Sequence, residues 1–540
     1  MSEKTFDYIV IGAGSAGCAM ASRLTENPNI SVLLLEAGER DNTMKIDMPA
    51  MIIDVVPPNK YNWSYFTEPQ PKLNNREMYW PRGKVLGGSS AINGLLYVRG
   101  HARDYDEWAQ LGCTGWSFDD VLPYFKKSEG SDRADDGLHN SSGPLLTSQH
   151  TSTNPLNLAF LKAAEEMGLP YTDDFNGPQQ EGVGWYDQTI RDGRRQSAAR
   201  AYIHQALDRP NLTVLTGAQA RKIILEGKKA VGVEVSRKGK IESWKAGREV
   251  ICSGGAINSP QLLQLSGIGD PADIQDVGLP VHHELKGVGK NMQDHLDLTV
   301  YAKINEPISA IKYKAPHRAI FEMAKWFMKK PGVLSDCVTP VGAFLKTDKA
   351  LERPDIQFHI MLAMASKPHG FEQPTEHGMG IHVCQLRPHS RGTISLKSDD
   401  PLAPAKIDPN YLEAEEDLRV MREGVKTVRR FMRQPALARY ITEEQAPWNS
   451  VDIDDDEGTN AVVREKAETI YHPVGTCAMG PTDNVNSVVD PKTLKVIGME
   501  GLRVVDASIM PRLIGGNTNA PTIMIAEKCA DMIKAELVPA

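Results

Sequence analysis

Gly12-Ala13-Gly14-Ser15-Ala16-Gly17 has the spacing G-x-G-x-x-G, directly after an apolar run, Tyr8-Ile9-Val10-Ile11, and at the start of a helical pattern from Ala16 to Leu24. The first glycine permits a tight turn, the second lets backbone approach a pyrophosphate, and the third lets the helix close on the strand. The helix N-terminus then turns its N–H groups towards phosphate charge. Glu36 follows nineteen residues after Gly17, at the end of Ser31-Val32-Leu33-Leu34-Leu35. There a carboxylate accepts from ribose hydroxyls and disfavours a 2′-phosphate, hence NADP. The pattern predicts a dinucleotide site without separating FAD from NAD. A ligand-free glycine turn could carry the same six residues; the strand, helix and distant acid argue against it. A second cluster, Trp80 to Gly94, contains Gly83, Gly87, Gly88 and Gly94. Such backbone passes close to something flat or anionic, unless it is a structural Ω-type loop. Fourteen histidines are present, and an imidazole is well matched to proton abstraction near neutral pH. Composition singles out none of them.

These residues need a scaffold, and the first forty positions supply one: strand, helix and strand in a βαβ pattern. Residues 212–251 read as short strands with turns: Leu212–Leu215, Ala230–Val235 and Glu249–Cys252. Residues 300–460 carry no glycine-rich nucleotide motif; they mix strands such as Ile356–Ile360 with a helix pattern from Glu415 to Arg433. The end returns to a strand at Leu502–Asp506, a loop through 521, and a helix from Thr522 to Glu536. The simplest reading is a nucleotide domain using the N-terminus, part of the middle and the C-terminus, with a second domain inserted. No internal repeat or low-complexity linker interrupts it.

At 540 residues the chain exceeds a single core, which stops growing near roughly 250–300 residues. With 41% hydrophobic and 24% charged residues it has the balance of an ordinary globular protein. A net charge of −8 leaves no footprint for nucleic acid and argues against broad adhesion to anionic lipid. Met1 to Asp7 lack a secretory pattern, no apolar run reaches the ~20 residues that span a bilayer, and Val538-Pro539-Ala540 offers no lipidation motif. Seven scattered cysteines without a Cys-x-x-Cys pair suggest neither a disulfide framework nor a metal site. A reducing cytoplasm is the expected setting, with peripheral attachment to the inner face of a membrane as an option.

Four ordered motifs resemble the glucose–methanol–choline oxidoreductase family: Gly83 to Asn93; Gly255-Ala256-Ile257-Asn258-Ser259-Pro260 through Gly269; Arg387 to Gly392 with Ile407 to Tyr411; and Tyr471-His472-Pro473-Val474-Gly475-Thr476-Cys477 through Asn517-Thr518-Asn519-Ala520-Pro521-Thr522. The resemblance covers almost the whole chain, more loosely over 300–380. It implies an α/β fold with an α+β insertion: a doubly wound, Rossmann-like FAD-binding domain (1–155, 190–300 and 465–540) and a substrate-binding domain with an antiparallel sheet (156–189 and 301–464). Carried over by position, Gly12, Gly14, Ser15, Ala16, Gly17, Glu36 and Ala37 hold the ADP half. Val85, Gly88, Ser89, Asn93, Gly94, Leu95 and Leu96 line the pyrophosphate and flavin edge. Ala220, where the family usually has valine, lays backbone on the adenine. Asp506 and Ala507 sit by the ribityl and phosphate region, and Pro521 and Thr522, at a helix start, face the flavin pyrimidine. A helix N-terminus there stabilises the negative charge of reduced flavin. Some relatives attach flavin through a histidine in the first motif; Ile92 stands there, so non-covalent FAD is expected.

The resemblance also assigns the chemistry. His472 takes the family's base position and Asn517 the second catalytic position, where an amide hydrogen-bonds the substrate oxygen. Asn517 could otherwise be a turn residue after Gly515-Gly516, and Asn519 either supports the flavin or orients Asn517. Asparagine at 517 resembles the choline- and aliphatic-alcohol-oxidising branches. The expected reaction is oxidation of a small-molecule alcohol, first a primary aliphatic or hydroxyl-ended chain, to the aldehyde, with electrons passed to a quinone or other carrier. The alternatives are an oxidase using O2, an FAD-containing lyase of the same fold, and a non-catalytic flavin module. Finally, residues 316–331 read as an amphipathic helix with Ile320, Met323, Ala324, Phe327 and Met328 on one face. Such a face usually packs on a core; it could instead rest on a membrane or cover the substrate entrance.

Overall fold

The computed structural model describes residues 5–133, 135–364 and 375–537; Met1–Lys4 and 538–540, part of the leader and lipidation readings above, lie outside them. A seven-stranded sheet carries the nucleotide half. Five strands run parallel in the order Leu212–Leu215, Val32–Leu35, Thr5–Ile11, Lys240–Cys252 and Leu502–Val504. All four residues of Val32–Leu35 are buried, because a parallel sheet is covered on both faces and its central strands read as unbroken apolar runs. The short strand expected at Glu249–Cys252 is the end of a thirteen-residue strand. Its first half pairs antiparallel with Lys229–Arg237, which pairs with Ala218–Glu226. Charged residues on that strand's solvated face concealed its start.

Helix Ser15–Leu24 packs against the C-terminal helix, which starts at Asn519 rather than Thr522 and runs to Glu536. Pro521 therefore sits inside the first turn, where its missing N–H is one of four that have no helical acceptor. Arg23 and the fully buried Glu527 pair at 2.8 Å, so the first and last helices of the described chain are joined by charge as well as packing.

The second sheet has eight strands. Its continuous path is Ile441–Glu444, Leu296–Ile304, Gly378–Gln385, Ile356–Met361, Val341–Leu345, Gly182–Trp185 and Tyr171–Thr172, with Glu468–Thr469 beside the start of Leu296–Ile304. All pairs are antiparallel except the last on the path. Helix Glu415–Met432 covers one face, close enough that a Cβ on Gly424 would stand 2.5 Å from the Val383 side chain. His359 and His382, from the same sheet, reach a large cavity.

Helix Pro316–Phe327 corrects the expectation of a core-facing apolar stripe. Ile320 is 71% and Phe327 61% exposed, and Met323 is only half-buried. Trp326 and Glu322 face inward instead: the Trp326 indole donates to the Gly193 carbonyl at 2.8 Å, and the Glu322 carboxylate accepts from Val333 N–H. No helix among the described residues is long and apolar enough to cross a membrane.

Candidate active site

A cavity of about 1080 Å³ runs from the glycine turn at residue 12 to the second sheet. It exceeds the roughly 300–1,000 Å³ of ordinary small-ligand pockets, so it has room for a long cofactor and a substrate beside it. Gly12, Gly14, Ser15, Ala16, Glu36, Ala37, Gly88, Ser89, Asn93, Gly94, Leu95, Leu96, Ala220, Asp506, Ala507, Asn517, Thr522 and His472 all line it. Gly17, Val85 and Pro521 do not. Gly17 lies against the Gly12 carbonyl with no room for a Cβ, while Val85 and Pro521 are buried behind the wall.

The two glycine clusters meet here. Gly12 has φ +96°, and a Cβ on it would lie 2.5 Å from the Ser253 carbonyl oxygen; one on Gly88 would lie 2.6 Å from Gly14 Cα. Gly88 is thus required by the first glycine loop as well as by the cavity. No side chain caps the helix that begins at Ser15, leaving its positive end for an anion. Glu36 accepts from Ala13 N–H at 3.0 Å and Gly38 N–H at 2.8 Å, and burial pushes it up to about 7. Asp506 accepts from Ser259 Oγ, Gly255 N–H and Ser508 N–H; its carboxylate therefore ties the second motif to the end of Leu502–Val504. Ser15 Oγ donates to Asn519 Oδ1 at 2.7 Å, so Asn519 braces the dinucleotide turn. Glycines at the crossing, an uncapped helix end, a distant acid and a long cavity fit FAD.

His472 is buried in a loop clamped by the segment 293–295. Its N–H donates to Asp294 Oδ1 at 2.7 Å, and Gln293 and Val474 form a bridge. Asp294 also accepts from Thr469 Oγ1 and the Tyr411 hydroxyl. Tyr471, just before His472, has φ +71°, a conformation rare for an aromatic residue; its N–H is held by Thr469 Oγ1 and its carbonyl by Arg82.

Two hydrogen-bond chains assign the proton on His472. The Leu386 carbonyl can only accept, so His295 Nε2, 3.1 Å away, carries a proton and donates. The neutral ring then has a lone pair on Nδ1, 3.0 Å from His472 Nδ1, which must donate. On the other side the Tyr186 hydroxyl donates its one proton to the Phe358 carbonyl at 2.7 Å. Gln357 must therefore present its NH2 to that hydroxyl, and the same NH2 donates to Asn517 Oδ1 at 3.2 Å. Asn517 Nδ2 is left facing His472 Nε2 at 3.3 Å. Both chains leave a lone pair on His472 Nε2, with an amide donor alongside. Such an arrangement can serve as a base with an oxyanion donor alongside.

Electrostatics agree with a neutral ring. Burial first, then His295 and Arg82, hold His472 well below the ordinary imidazole range, and burial pushes His295 down to about 3. The sequence offered no signal for His295, Asp294, Gln357 or Tyr186: each lies at least 160 residues from the position it serves, apart from motif spacing. The seven cysteines are all free and buried, and no group of metal-binding side chains occurs among the described residues.

The GMC oxidoreductase family matches residues 6–297 with its N-terminal model and 388–526 with its C-terminal one. The chain is 44% identical to "Alcohol dehydrogenase [acceptor]" of Pseudomonas putida, over 98% of its own length and 95% of that protein. It is also 44% identical to "Oxygen-dependent choline dehydrogenase" of Sinorhizobium fredii, with the same coverage. A crystal structure of pyridoxine 4-oxidase from Mesorbium loti superposes with a TM-score of 0.88 at 29% identity, covering 98% of this chain and 99% of that one. An α/β nucleotide domain joined to a mixed, mostly antiparallel sheet, with these matches, makes the chain a member of the GMC oxidoreductase family, an FAD-dependent enzyme acting on CH–OH donors.

Proposed function

We propose that this protein oxidises a primary alcohol to the aldehyde, with His472 as base, Asn517 as oxyanion donor, non-covalent FAD as hydride acceptor and O2 as terminal acceptor. The observation that carries it is the lone pair on His472 Nε2 beside the Asn517 amide, fixed from two sides. Bound FAD supplies a two-electron acceptor for the hydride that leaves the carbinol carbon as the C=O bond forms. The alcohol oxygen would displace the Asn517 amide from the lone pair on His472 Nε2; His472 Nε2 then takes the hydroxyl proton, and an N–H of Asn517 Nδ2 turns to the oxygen as its charge develops. Ile92, buried in the cavity wall, has no nucleophilic atom to bond the flavin; acid precipitation is expected to leave the yellow colour in the supernatant.

Oxygen is favoured over a quinone because relatives over nearly the full length bear the names oxygen-dependent choline dehydrogenase and pyridoxine 4-oxidase. The test is the yield of hydrogen peroxide in air. One peroxide per aldehyde supports the oxygen reading; aldehyde formed only when a quinone analogue is added returns the acceptor to a carrier.

The depressed His472 sets the pH dependence. A base with lowered pKa stays neutral as pH falls through the usual imidazole value near 6.5. We expect flavin reduction by alcohol to be flat from about pH 8 to 6.5, with its acid limb below that range; a limb centred above pH 7 would contradict the buried, neutral ring. His295 is a positioning residue in the same scheme. His295→Leu should keep its flavin yet slow reduction by roughly 10–100-fold and alter the acid limb, since Nδ1 of His472 loses its acceptor. His295→Gln, whose carboxamide oxygen can accept, should recover part of the loss; equal rates in both variants would remove the tautomer role.

A further inference from the structure

We infer that helix Pro316–Phe327 and its flanks form a docking surface for an anionic lipid bilayer. Ile320, Phe321, Phe327 and Met328 are 71%, 60%, 61% and 55% exposed, and Ala324, also exposed, completes their face at helical spacing. Solvent-exposed side chains of this size on one short helix mark an interaction surface. Charge identifies the partner. Between residues 310 and 331 stand six basic residues, Lys312, Lys314, Arg318, Lys325, Lys329 and Lys330, against one acid, Glu322, in a chain of net charge −8. That acid is turned inward, paired with Lys325 and Val333 N–H. Lys329 leans towards Asp192 at 3.6 Å, both well exposed. A basic patch of this kind is opposed by the charge of the rest of the protein, and it suits lipid phosphates beside an apolar face that enters the acyl boundary.

The inner side of the helix makes the surface rigid. Trp326 is anchored on the Gly193 carbonyl, with the Arg194 guanidinium 4.7 Å over its ring. Glu322, Lys325, Lys312 and Tyr313 line the cavity that holds His472. Docking by this face would therefore set one bank of the cavity at the bilayer surface, where chain alcohols partition.

The test uses the flavin-loaded enzyme and vesicles of phosphatidylcholine with and without phosphatidylglycerol, read by co-sedimentation, so it does not depend on turnover or on the acceptor. We expect binding to the anionic vesicles only, lost at high salt as the charges are screened. A variant with Ile320, Phe321, Phe327 and Met328 all changed to Ser should lose at least about tenfold in partitioning with unchanged flavin content; Lys329→Glu with Lys330→Glu gives a second variant on the charged side, with the same loss expected. No co-sedimentation, equal binding to neutral vesicles, or wild-type binding by both variants would overturn the inference. So would a concentration-dependent dimer that the apolar variant abolishes while no vesicle binding is seen, because that result makes a second copy the occupant.

Discussion

His472→Ala is expected to purify yellow and to be reduced by alcohol about 10²–10⁴-fold more slowly than the parent enzyme. Flavin should survive because the residues expected to hold the ADP half, from the Gly12 turn to Glu36, lie along the N-terminal strand–helix–strand unit, apart from the His472 loop. The rate should fall because His295 cannot replace the missing ring: it is buried behind His472 and does not line the cavity, and its Nε2 is committed to the Leu386 carbonyl. Anaerobic mixing with alcohol measures both quantities on one sample. Reduction at the parent rate would remove His472 from the base position, whatever the fate of the fold.

Gly12→Val should give a protein without flavin. Gly12 has φ +96°, where a β-branched residue is strained, and its new Cβ would press on the Ser253 carbonyl at 2.5 Å. Strain of this kind costs on the order of 1–3 kcal/mol. Its relief would move either the turn that meets the pyrophosphate or the neighbouring strand end at residues 252–253. We expect affinity for FAD to fall by at least about 100-fold, or about 2.7 kcal/mol, together with a lower melting temperature. Fluorescence titration of the apoprotein with FAD checks it; parent affinity would mean that the turn does not touch the dinucleotide.

The dinucleotide end of the molecule was legible because its signals are local. Strand, glycine turn, helix and Glu36 lie within thirty-two residues, and each demand is met by local backbone conformation or by one side chain close in sequence. The second glycine cluster was half legible: close approach of its backbone to something could be read, but Gly14 of the first loop, as one of the things approached, could not. Around His472 the reading stopped at the residues carried by family resemblance. His295 stands 177 positions earlier and Gln357 is 160 positions from Asn517; only strand pairing and the clamp at Gln293–His295 bring them in. Periodicity also found the stripe of helix Pro316–Phe327 but not its direction. A helical period states that one face is apolar; it says nothing about whether another element covers it, and here Trp326 and Glu322 take the inner side.

In the proposed reaction His472 and Asn517 act together on one carbinol beside the flavin. Anaerobic mixing of the flavin-loaded enzyme with a panel of primary alcohols, unlabelled and deuterated at the carbinol carbon, tests it most directly. One equivalent of a good alcohol is expected to bleach one flavin per chain and leave aldehyde, with reduction slowed severalfold by the label. A flavin that stays yellow with every alcohol, or bleaches at a rate indifferent to the label with no aldehyde formed, would contradict it.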